Sequence, residues 1–207
     1  MLAAAHLALD ADVHVVGFNL GTMGFLAQAE TESAESVVDR LMTGDYTVSE
    51  RMTVTAESNG IRRIGMNDVV VEKVDTTRLV VLDVTVDGDP FVTYRADGLI
   101  LATPTGSTAY SFSAGGPLVD PRLRALVITP VAAHSLFDRA LVLPEGTVIG
   151  ITVISDRTVR ANVDKDALGV MEEGDHLTVT TGERPLRFVT LRSDEFTGVL
   201  RDKFGLR

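Results

Sequence analysis

The chain lacks cysteine and tryptophan altogether, and only 5% of its 207 residues are aromatic. Without cysteine it has no means of building a disulfide scaffold, a thiolate metal site or a cysteine nucleophile. Positive charge is also scarce, with 19 Lys and Arg against 29 Asp and Glu and a net charge of −10. This balance argues against nucleic acid or an anionic membrane as a partner, although a few arginines and backbone N–H groups can still hold a small anionic ligand.

Long apolar runs are absent as well. No run approaches the roughly 18 residues of a membrane-spanning helix, and no basic segment of the signal-peptide type opens the chain. Hydrophobic residues at 45% and charged residues at 23% are ordinary values for a globular protein. We therefore expect a soluble, cytoplasmic protein with one large domain or two small ones.

Residues 1–45 form the first of three zones that differ in the spacing of their apolar residues. The segments 1–9 and 33–42 are predicted helices, and Val13–Phe18 is a predicted strand, an alternation typical of an α/β layer. This strand is apolar on both faces, as in a buried parallel sheet, yet no second strand follows within the zone. Either the C-terminal tail returns to pair with it, or part of the α/β layer is missing from the chain. We favour the second interpretation.

The second zone, residues 46–185, is predicted to be mostly strands. Short β-branched runs alternate with turn signals, of which Asn59-Gly60 and Asp87-Gly88-Asp89 are typical of hairpins. The third zone, residues 186–207, begins with a short alternating run and continues as a polar helix-like tail. The sequence thus predicts a small α/β part followed by a larger all-β part.

Three segments carry polar groups that could bind a ligand. After a predicted strand, residues 103–113 are rich in hydroxyls, which suit adenine edges, ribose and phosphate, or simply belong to a Ser/Thr-rich loop. Asn67 and Asp68 precede a valine run and are either turn formers or an amide and a carboxylate that contact adenine and ribose. Arg78 and Arg95 lie beside strands, where an arginine is either solvated or paired with a phosphate.

Five short motifs follow one another in an order that resembles the NAD kinases, and the resemblance extends over essentially the whole chain. The fourth motif is long and by far the most specific. The motifs are NLGxxGF (Asn19–Phe25), ND before a valine run (Asn67, Asp68), RADG (Arg95–Gly98), TPTGSTAYSxSAGGP (Thr103–Pro117) and AHS (Ala133–Ser135).

The resemblance implies a kinase that phosphorylates the 2′-hydroxyl of the adenosine ribose of NAD to give NADP. The phosphoryl donor would be ATP or inorganic polyphosphate, acting with a divalent metal cation such as Mg²⁺. The implied fold is an N-terminal α/β portion, here a truncated Rossmann-like layer, and a larger all-β domain, with the C-terminal tail returning to the first. The implied assembly is a homodimer or homotetramer with NAD bound near a subunit contact.

On this resemblance, residues 1–45 are the remnant of the α/β domain, residues 46–185 are the β-rich NAD-binding domain, and residues 186–207 pack back on the α/β domain. The partners would be small-molecule nucleotides. No metal ligand is assigned.

The resemblance also implies NAD-binding roles for individual residues. Asn67 and Asp68 would hold the ribose and adenine region, Asp97 would contact the nicotinamide side, and Phe25 would pack near the adenine. The nucleotide pocket would be lined by Thr105, Thr108, Ala109, Tyr110, Ser111, Phe112 and Ser113.

Two arginines would complete the NAD site. The resemblance implies that Arg78 and Arg95 face phosphate groups of NAD. The NAD molecule would be bound to the same subunit as these arginines or to a neighbouring one.

Two departures from the family pattern bear on catalysis. The GGDG motif, whose Asp is expected to activate the ribose hydroxyl, is absent, so no catalytic residue is assigned. Residues 1–5 (MLAAA) match the helix start that follows this motif, so we expect that the N-terminal part is missing and that the chain alone is weakly active or inactive. In VDKD (Val163–Asp166), Asp164 matches the family Asp, but Asp166 replaces the usual Gln.

Two alternatives stay open beside the kinase. The first is a non-catalytic NAD-binding or regulatory module that has lost the GGDG motif. The second is a relative of the lipid kinases, which share the broader fold, and the adenine-type TPTGSTAYS run makes it the least favoured.

Overall fold

A computed structural model describes residues 2–17, 34–75, 77–191 and 196–206. It divides the chain into a first unit, Met1–Arg51 with Pro185–Arg207, and a second unit, Met52–Arg184. In chain order the elements are α1 (Leu2–Ala11), α2 (Ala34–Thr43), β1 (Thr47–Arg51), β2 (Val54–Ser58), β3 (Ile61–Gly65), β4 (Asp68–Lys73), β5 (Val80–Val86), β6 (Asp89–Ala96), β7 (Gly98–Ala102), a 3₁₀ turn (Gly106–Thr108), α3 (Tyr110–Ser113), β8 (Ala125–Val131), β9 (Leu141–Pro144), β10 (Ile149–Val153), β11 (Val159–Val163), β12 (Asp166–Met171), β13 (His176–Thr181), β14 (Leu186–Thr190) and α4 (Phe196–Phe204).

The first unit combines helices with a two-stranded antiparallel sheet. Helix α2 ends where its sequence predicts, because Gly44 adopts a left-handed φ of 74° that terminates the helix. Strands β1 and β14 pair in antiparallel register, although 134 residues separate them in the chain. The apolar core beneath them contains Val37 of α2 together with Val189 and Leu191.

The predicted strand Val13–Phe18 is wrong as a strand. Among the described residues of this segment only Val15 is paired, in a single parallel bridge to Phe188. The Val15 N–H donates to the Arg187 carbonyl and the Val15 carbonyl accepts from the Val189 N–H, both at 2.8 Å. Val15 is buried and Val16 packs against Val189 and Leu191 of the returning tail, whereas Val13 is exposed. A single bridge leaves no ladder to propagate a strand.

Strands β1 and β2 follow each other closely in the chain but belong to different units. Strand β1 ends at Arg51 and pairs with β14 in the first unit, whereas β2 begins at Val54 and pairs with β3 and β13 in the second.

The second unit contains two six-stranded sheets in which every pair is antiparallel. The first sheet has the order β3-β2-β13-β10-β5-β6, and the second has the order β12-β11-β4-β7-β8-β9. The predicted hairpin at Asn59-Gly60 joins β2 to β3, and Asp87-Gly88 joins β5 to β6. All four residues have a positive φ between 51° and 87°, as a tight turn of the right twist requires.

The main core contains residues from both sheets, including Val71, Leu82, Leu99 and Ile151. The second sheet is also covered on its other face, where Val70 and Ile100 form a smaller apolar cluster with Val119. Burial on both faces explains the unbroken valine run of β4, because neither side of that strand meets water.

The predicted fold class, a small α/β portion with a larger antiparallel β domain and a returning tail, is confirmed. None of the described helices has both the length and the apolar character that crossing a membrane requires.

Candidate nucleotide-binding site

One end of the second sheet brings together three segments that are distant in the chain. Asp68 at the start of β4 is the register partner of Ala102 at the end of β7, and Val69 is the partner of Val163 at the end of β11. The residues just outside these strand ends are therefore neighbours. They belong to the ND pair, to the hydroxyl-rich segment after β7 and to the turn that contains Asp164.

Asp164 holds the backbone of the ND pair. One carboxylate oxygen, Oδ1, accepts hydrogen bonds from the N–H groups of Asn67 at 2.7 Å and Asp68 at 3.2 Å, and Oδ2 accepts one from Met66 at 2.8 Å. In return, the Asp164 N–H donates to the Asp68 carbonyl at 2.8 Å. Charge-assisted bonds of this kind are stronger than neutral ones, so this carboxylate fixes the conformation of residues 66–68.

The hydroxyl-rich segment is attached to the same backbone. The Thr103 hydroxyl donates to the Met66 carbonyl at 2.6 Å, and the Thr103 N–H donates to the Asn67 carbonyl at 2.8 Å. Gly106 lies so close that a Cβ built on it would sit 2.0 Å from the Asn67 carbonyl oxygen. Only glycine allows this approach, which brings the 3₁₀ turn against the ND pair.

Several hydroxyls of the segment are used to hold the segment itself. The Ser107 hydroxyl donates to the Pro104 carbonyl at 2.7 Å and accepts from the Val119 N–H at 3.0 Å. The Ser111 and Thr129 hydroxyls are hydrogen-bonded to each other at 2.9 Å. These two serines are buried, so in part the segment is the structural Ser/Thr loop that its composition also allowed.

Other polar groups at this end of the sheet are left for a ligand. Within the described part of the chain, the side chains of Asn67, Asp68 and Thr105 make no hydrogen bond, although Asp68 and Thr105 are only 5% and 6% exposed. Their polar atoms are not among the fully enclosed atoms that lack a partner in the described chain, so they are open to solvent and to a ligand. A bound molecule with both donors and acceptors, such as a nucleoside, would satisfy all three.

Asp68 is also electrostatically unusual. Burial, and after it the nearby carboxylate of Asp164, raises the pKa of Asp68 to about 7 from an ordinary value of 3.8. A carboxyl that titrates near neutral pH can accept hydrogen bonds as the anion or donate one as the acid. Perturbed groups of this kind are concentrated at functional sites.

The rest of the predicted pocket lies just beyond the 3₁₀ turn. Tyr110, Phe112 and Ser113 are exposed, and Thr108 and Ala109 are half-buried. Two exposed aromatic rings beside the unpaired polar groups could stack on a flat heterocycle, which is a common use of tyrosine and phenylalanine at binding sites.

Three predicted residues lie elsewhere. Asp97 precedes β7 and thus stands at the end of the strand opposite to Asp68, about 17 Å away at 3.3 Å per residue along β4. Its carboxylate forms an ion pair with Lys73, and Arg95 lies two residues before it. Arg78 is exposed in the segment between β4 and β5. The structure therefore sorts the candidates into two groups at opposite ends of the second sheet.

Two contacts of these residues have little or no local sequence signal. The three backbone hydrogen bonds of Asp164 correspond in the sequence only to an Asp in a turn. The ion pair of Lys73 with Asp97 has no local signal, because Lys73 simply follows the valine run. Phe25 and the NLGxxGF motif lie outside the described residues. In the ranges that are described, no group of three or more His, Asp or Glu could hold a metal ion.

An antiparallel β unit with a glycine-dependent, hydroxyl-rich turn and unpaired polar groups is compatible with nucleotide binding, and comparison with known proteins identifies the family. Residues 1–46 match the ATP-NAD kinase N-terminal domain, and residues 66–191 match the ATP-NAD kinase C-terminal domain. The chain is 39% identical to the NAD kinase of Heliobacterium modesticaldum over 209 residues, which cover 98% of this chain and 74% of that protein. The chain belongs to the NAD kinase family.

Solved structures agree with this assignment. Yeast NADH kinase, crystallised in complex with NADH, superimposes with a TM-score of 0.87 and is 29% identical; the match covers 94% of this chain and 59% of that one. An NAD kinase from Archaeoglobus fulgidus, crystallised with ATP, has a TM-score of 0.75 at 24% identity and shares the fold, with 93% and 73% of the two chains covered. This chain thus spans less than two thirds of the yeast protein. Family and relatives support NAD kinase function and do not favour a non-catalytic module.

Proposed function

We propose that this chain binds NAD and serves the transfer of a phosphoryl group to the 2′-hydroxyl of its adenosine ribose, giving NADP. The observation that carries the proposal is the group of buried or half-buried polar side chains, Asn67, Asp68 and Thr105, that lack partners at one end of the second sheet. Membership of the NAD kinase family supports NAD as their ligand.

The adenosine half of NAD would bind at the ND pair. The Asn67 amide can both donate to and accept from a purine edge, and the Asp68 carboxylate can accept from ribose hydroxyls. The Thr105 hydroxyl extends this donor and acceptor set, and the exposed rings of Tyr110 and Phe112 offer stacking surfaces. The remaining positions around them are Thr108, Ala109, Ser111 and Ser113.

The second group of residues would bind another part of an NAD molecule. Asp97 would contact the nicotinamide side, and Arg78 and Arg95 would face phosphate groups. Since this group lies at the opposite end of the sheet from Asp68, we propose that it serves an NAD molecule bound to a neighbouring subunit of a homodimer or homotetramer. Burial of NAD between subunits would account for both groups.

No residue of this chain is assigned as the catalytic base, because the printed sequence contains no counterpart of the GGDG Asp. The described residues also form no cage for Mg²⁺. In kinases this cation is held largely by substrate phosphates and water, so its part in the reaction, like the choice between ATP and polyphosphate, rests on family membership alone. We further propose that the protein works in the cytoplasm.

Isothermal titration calorimetry of the purified chain with NAD tests the proposal, alongside NADP formation with ATP or polyphosphate and Mg²⁺. We expect saturable NAD binding, which Asn67→Ala and Thr105→Val weaken by about tenfold each, since each removes one or two hydrogen bonds to the ligand. Thr180→Val is a matched control, because it removes a half-buried hydroxyl from β13, away from both groups of candidates.

Absence of NAD binding by a folded chain would contradict the proposal. Binding that Asn67→Ala and Thr105→Val leave unchanged would place the NAD site elsewhere. NAD binding without NADP formation under any donor would support the non-catalytic alternative for the chain as it stands.

A further inference from the structure

The AHS motif, Ala133–Ser135, lies in the segment after β8 and has no role in the proposed site. The structure places it against the outer edge of the first sheet. Among the described strands, β6 is the last of that sheet and pairs with β5 alone, so its outward backbone groups bond to water or to a segment outside the sheet.

Two residues of the AHS motif bond to the outward backbone groups of one residue of β6, Arg95. The Ser135 hydroxyl accepts a hydrogen bond from the Arg95 N–H at 3.1 Å, and the His134 N–H donates to the Arg95 carbonyl at 2.7 Å. The register explains why this residue is the one held. Arg95 is the partner of Val81, whose own N–H and carbonyl bond to Ser155 and Ile154, so the polar groups of Arg95 face away from β5.

Arg95 is followed by a one-residue corner between the two sheets. Ala96 ends β6, Gly98 begins β7, and only Asp97 lies between them. The Asp97 N–H donates to the Val131 carbonyl at 2.9 Å, and the Asp97 carbonyl accepts from the Lys73 N–H at 2.9 Å. The backbone of Asp97 is therefore held by Val131 and Lys73. The backbone of Arg95 is held by the AHS motif.

Arg95 and Asp97 are two residues apart in an extended chain, so their side chains leave the backbone on the same face. Ala96 between them is fully buried and anchors the opposite face. The direction of the Arg95 side chain is thus set by how its backbone is held. A guanidinium that binds phosphate with two N–H groups needs such a fixed direction.

We propose that Ser135, together with the backbone N–H of His134, is a positioning residue that aims Arg95 at a phosphate group of the bound nucleotide. The inference rests on the proposed function, because it takes NAD as the ligand of Arg95. Ser135 itself does not touch the nucleotide.

The test is a double-mutant cycle on NAD binding, measured by calorimetry on the full chain. Ser135→Ala should raise the dissociation constant for NAD by about threefold to tenfold, the value of one hydrogen bond. Ser135→Thr keeps the hydroxyl and should bind like the wild type. In an Arg95→Ala background, Ser135→Ala should add nothing, since the side chain that it positions is already gone.

Ser155→Ala is the matched control. Ser155 accepts from the Val81 N–H at 3.2 Å, and Ile154 donates to the Val81 carbonyl at 3.0 Å, so the same pair of bonds holds a valine instead of an arginine. This variant should lower the thermal midpoint without weakening NAD binding. Adenosine, which has no phosphate, should bind equally to the wild type and to Ser135→Ala.

Independent effects of Ser135→Ala and Arg95→Ala, or an equal loss of NAD affinity in Ser155→Ala, would overturn the inference. NAD binding that Ser135→Ala leaves unchanged would overturn it too. If Ser135→Ala does not fold, His134→Pro removes the other hydrogen bond to Arg95 and must give the same pattern. A wild-type chain that binds no NAD would defeat the proposed function first, so the two failures are distinguishable.

Discussion

The carboxylate of Asp164 accepts a hydrogen bond from the backbone N–H of Asn67 at 2.7 Å, across 97 positions of sequence. The same carboxylate also holds the N–H groups of the residues on either side. The position of the Asn67 amide and the Asp68 carboxyl therefore depends on a residue in another strand pair.

Replacing Asp164 with asparagine should impair both stability and NAD binding. The amide keeps one oxygen acceptor but loses the charge and the second oxygen, so at least one of the three backbone N–H groups loses its partner. We expect the free energy of unfolding to fall by roughly 1–3 kcal/mol and the dissociation constant for NAD to rise by about tenfold. Urea denaturation and calorimetry measure the two effects.

Asp87→Asn is the matched control for this change. Asp87 also occupies a hairpin turn with a left-handed φ, and its carboxylate accepts one backbone N–H, that of Val148, at 2.8 Å. It should lose less stability and leave NAD binding unchanged. Equal effects of the two substitutions on NAD affinity would show that Asp164 acts only through the general stability of the hairpin.

Asp68 should make the stability of the protein depend on pH. Its pKa in the folded state is about 7, above the ordinary 3.8, so the native state binds more protons than the unfolded state between these values. The contribution of this group to stability is therefore complete below about pH 4 and is lost as pH rises to about 7. The loss is of the order of 4 kcal/mol, at about 1.4 kcal/mol per pKa unit.

Asp68→Asn removes this titration and keeps the side-chain shape. The variant should be more stable than the wild type at pH 8, and the difference should shrink as pH falls to 5. Urea unfolding at four pH values between 5 and 8 measures it. Parallel pH profiles for the two proteins would mean that Asp68 does not titrate in this range.

Tyr94 should be replaceable by phenylalanine with a gain in stability. The side chain is fully buried in the core, and within the described part of the chain its hydroxyl has no hydrogen-bond partner. Burial also raises the pKa of the Tyr94 hydroxyl to about 12, as expected for a poorly solvated phenol. We expect Tyr94→Phe to raise the free energy of unfolding by about 1 kcal/mol, because an unpaired buried hydroxyl is removed.

Tyr94→Ala separates the ring from the hydroxyl and should cost about 3–5 kcal/mol through the cavity it leaves. Thermal denaturation followed by circular dichroism compares the three proteins. A loss of stability in Tyr94→Phe would reveal a partner for the hydroxyl, such as a buried water.

Gly106 should not tolerate even alanine. The added Cβ would fall 2.0 Å from the Asn67 carbonyl oxygen, so the 3₁₀ turn and the ND pair would have to move apart. We expect a loss of roughly 1–3 kcal/mol and a clear weakening of NAD binding. Gly198→Ala is the control, because in α4 the nearest atom to the added Cβ is 3.8 Å away and alanine favours helix. NAD affinity that Gly106→Ala leaves unchanged would separate this turn from the site.

Much of the β-rich architecture could be predicted because its signals are local. Asn59-Gly60 and Asp87-Gly88 specify tight turns through the positive φ of two adjacent residues, and each turn brings the two flanking runs side by side. The strand predicted at Val13–Phe18 failed for the opposite reason. Val15 and Val16 pack against a tail more than 170 residues away, and packing of that kind leaves the same apolar pattern as a sheet.

The candidate site divides in the same way. The sequence by itself determined the family through an ordered set of motifs, and it determined which residue types stand in the nucleotide segment. It could not separate the hydroxyls of Ser107 and Ser111, which hold the segment together, from that of Thr105, which makes no hydrogen bond within the described chain. All three side chains carry the same hydroxyl group, and they differ in whether a partner atom lies within hydrogen-bond distance.

Only the tertiary structure decided how these residues work together. It buried Asp68 beside Asp164 and so raised the pKa of Asp68, and it placed Arg95 and Asp97 at the far end of the same sheet. It also brought Ser135 to the backbone of Arg95. Each of these arrangements depends on residues that are far apart in the chain. The pairing of the strands, and not the local sequence, determines which of these residues become neighbours.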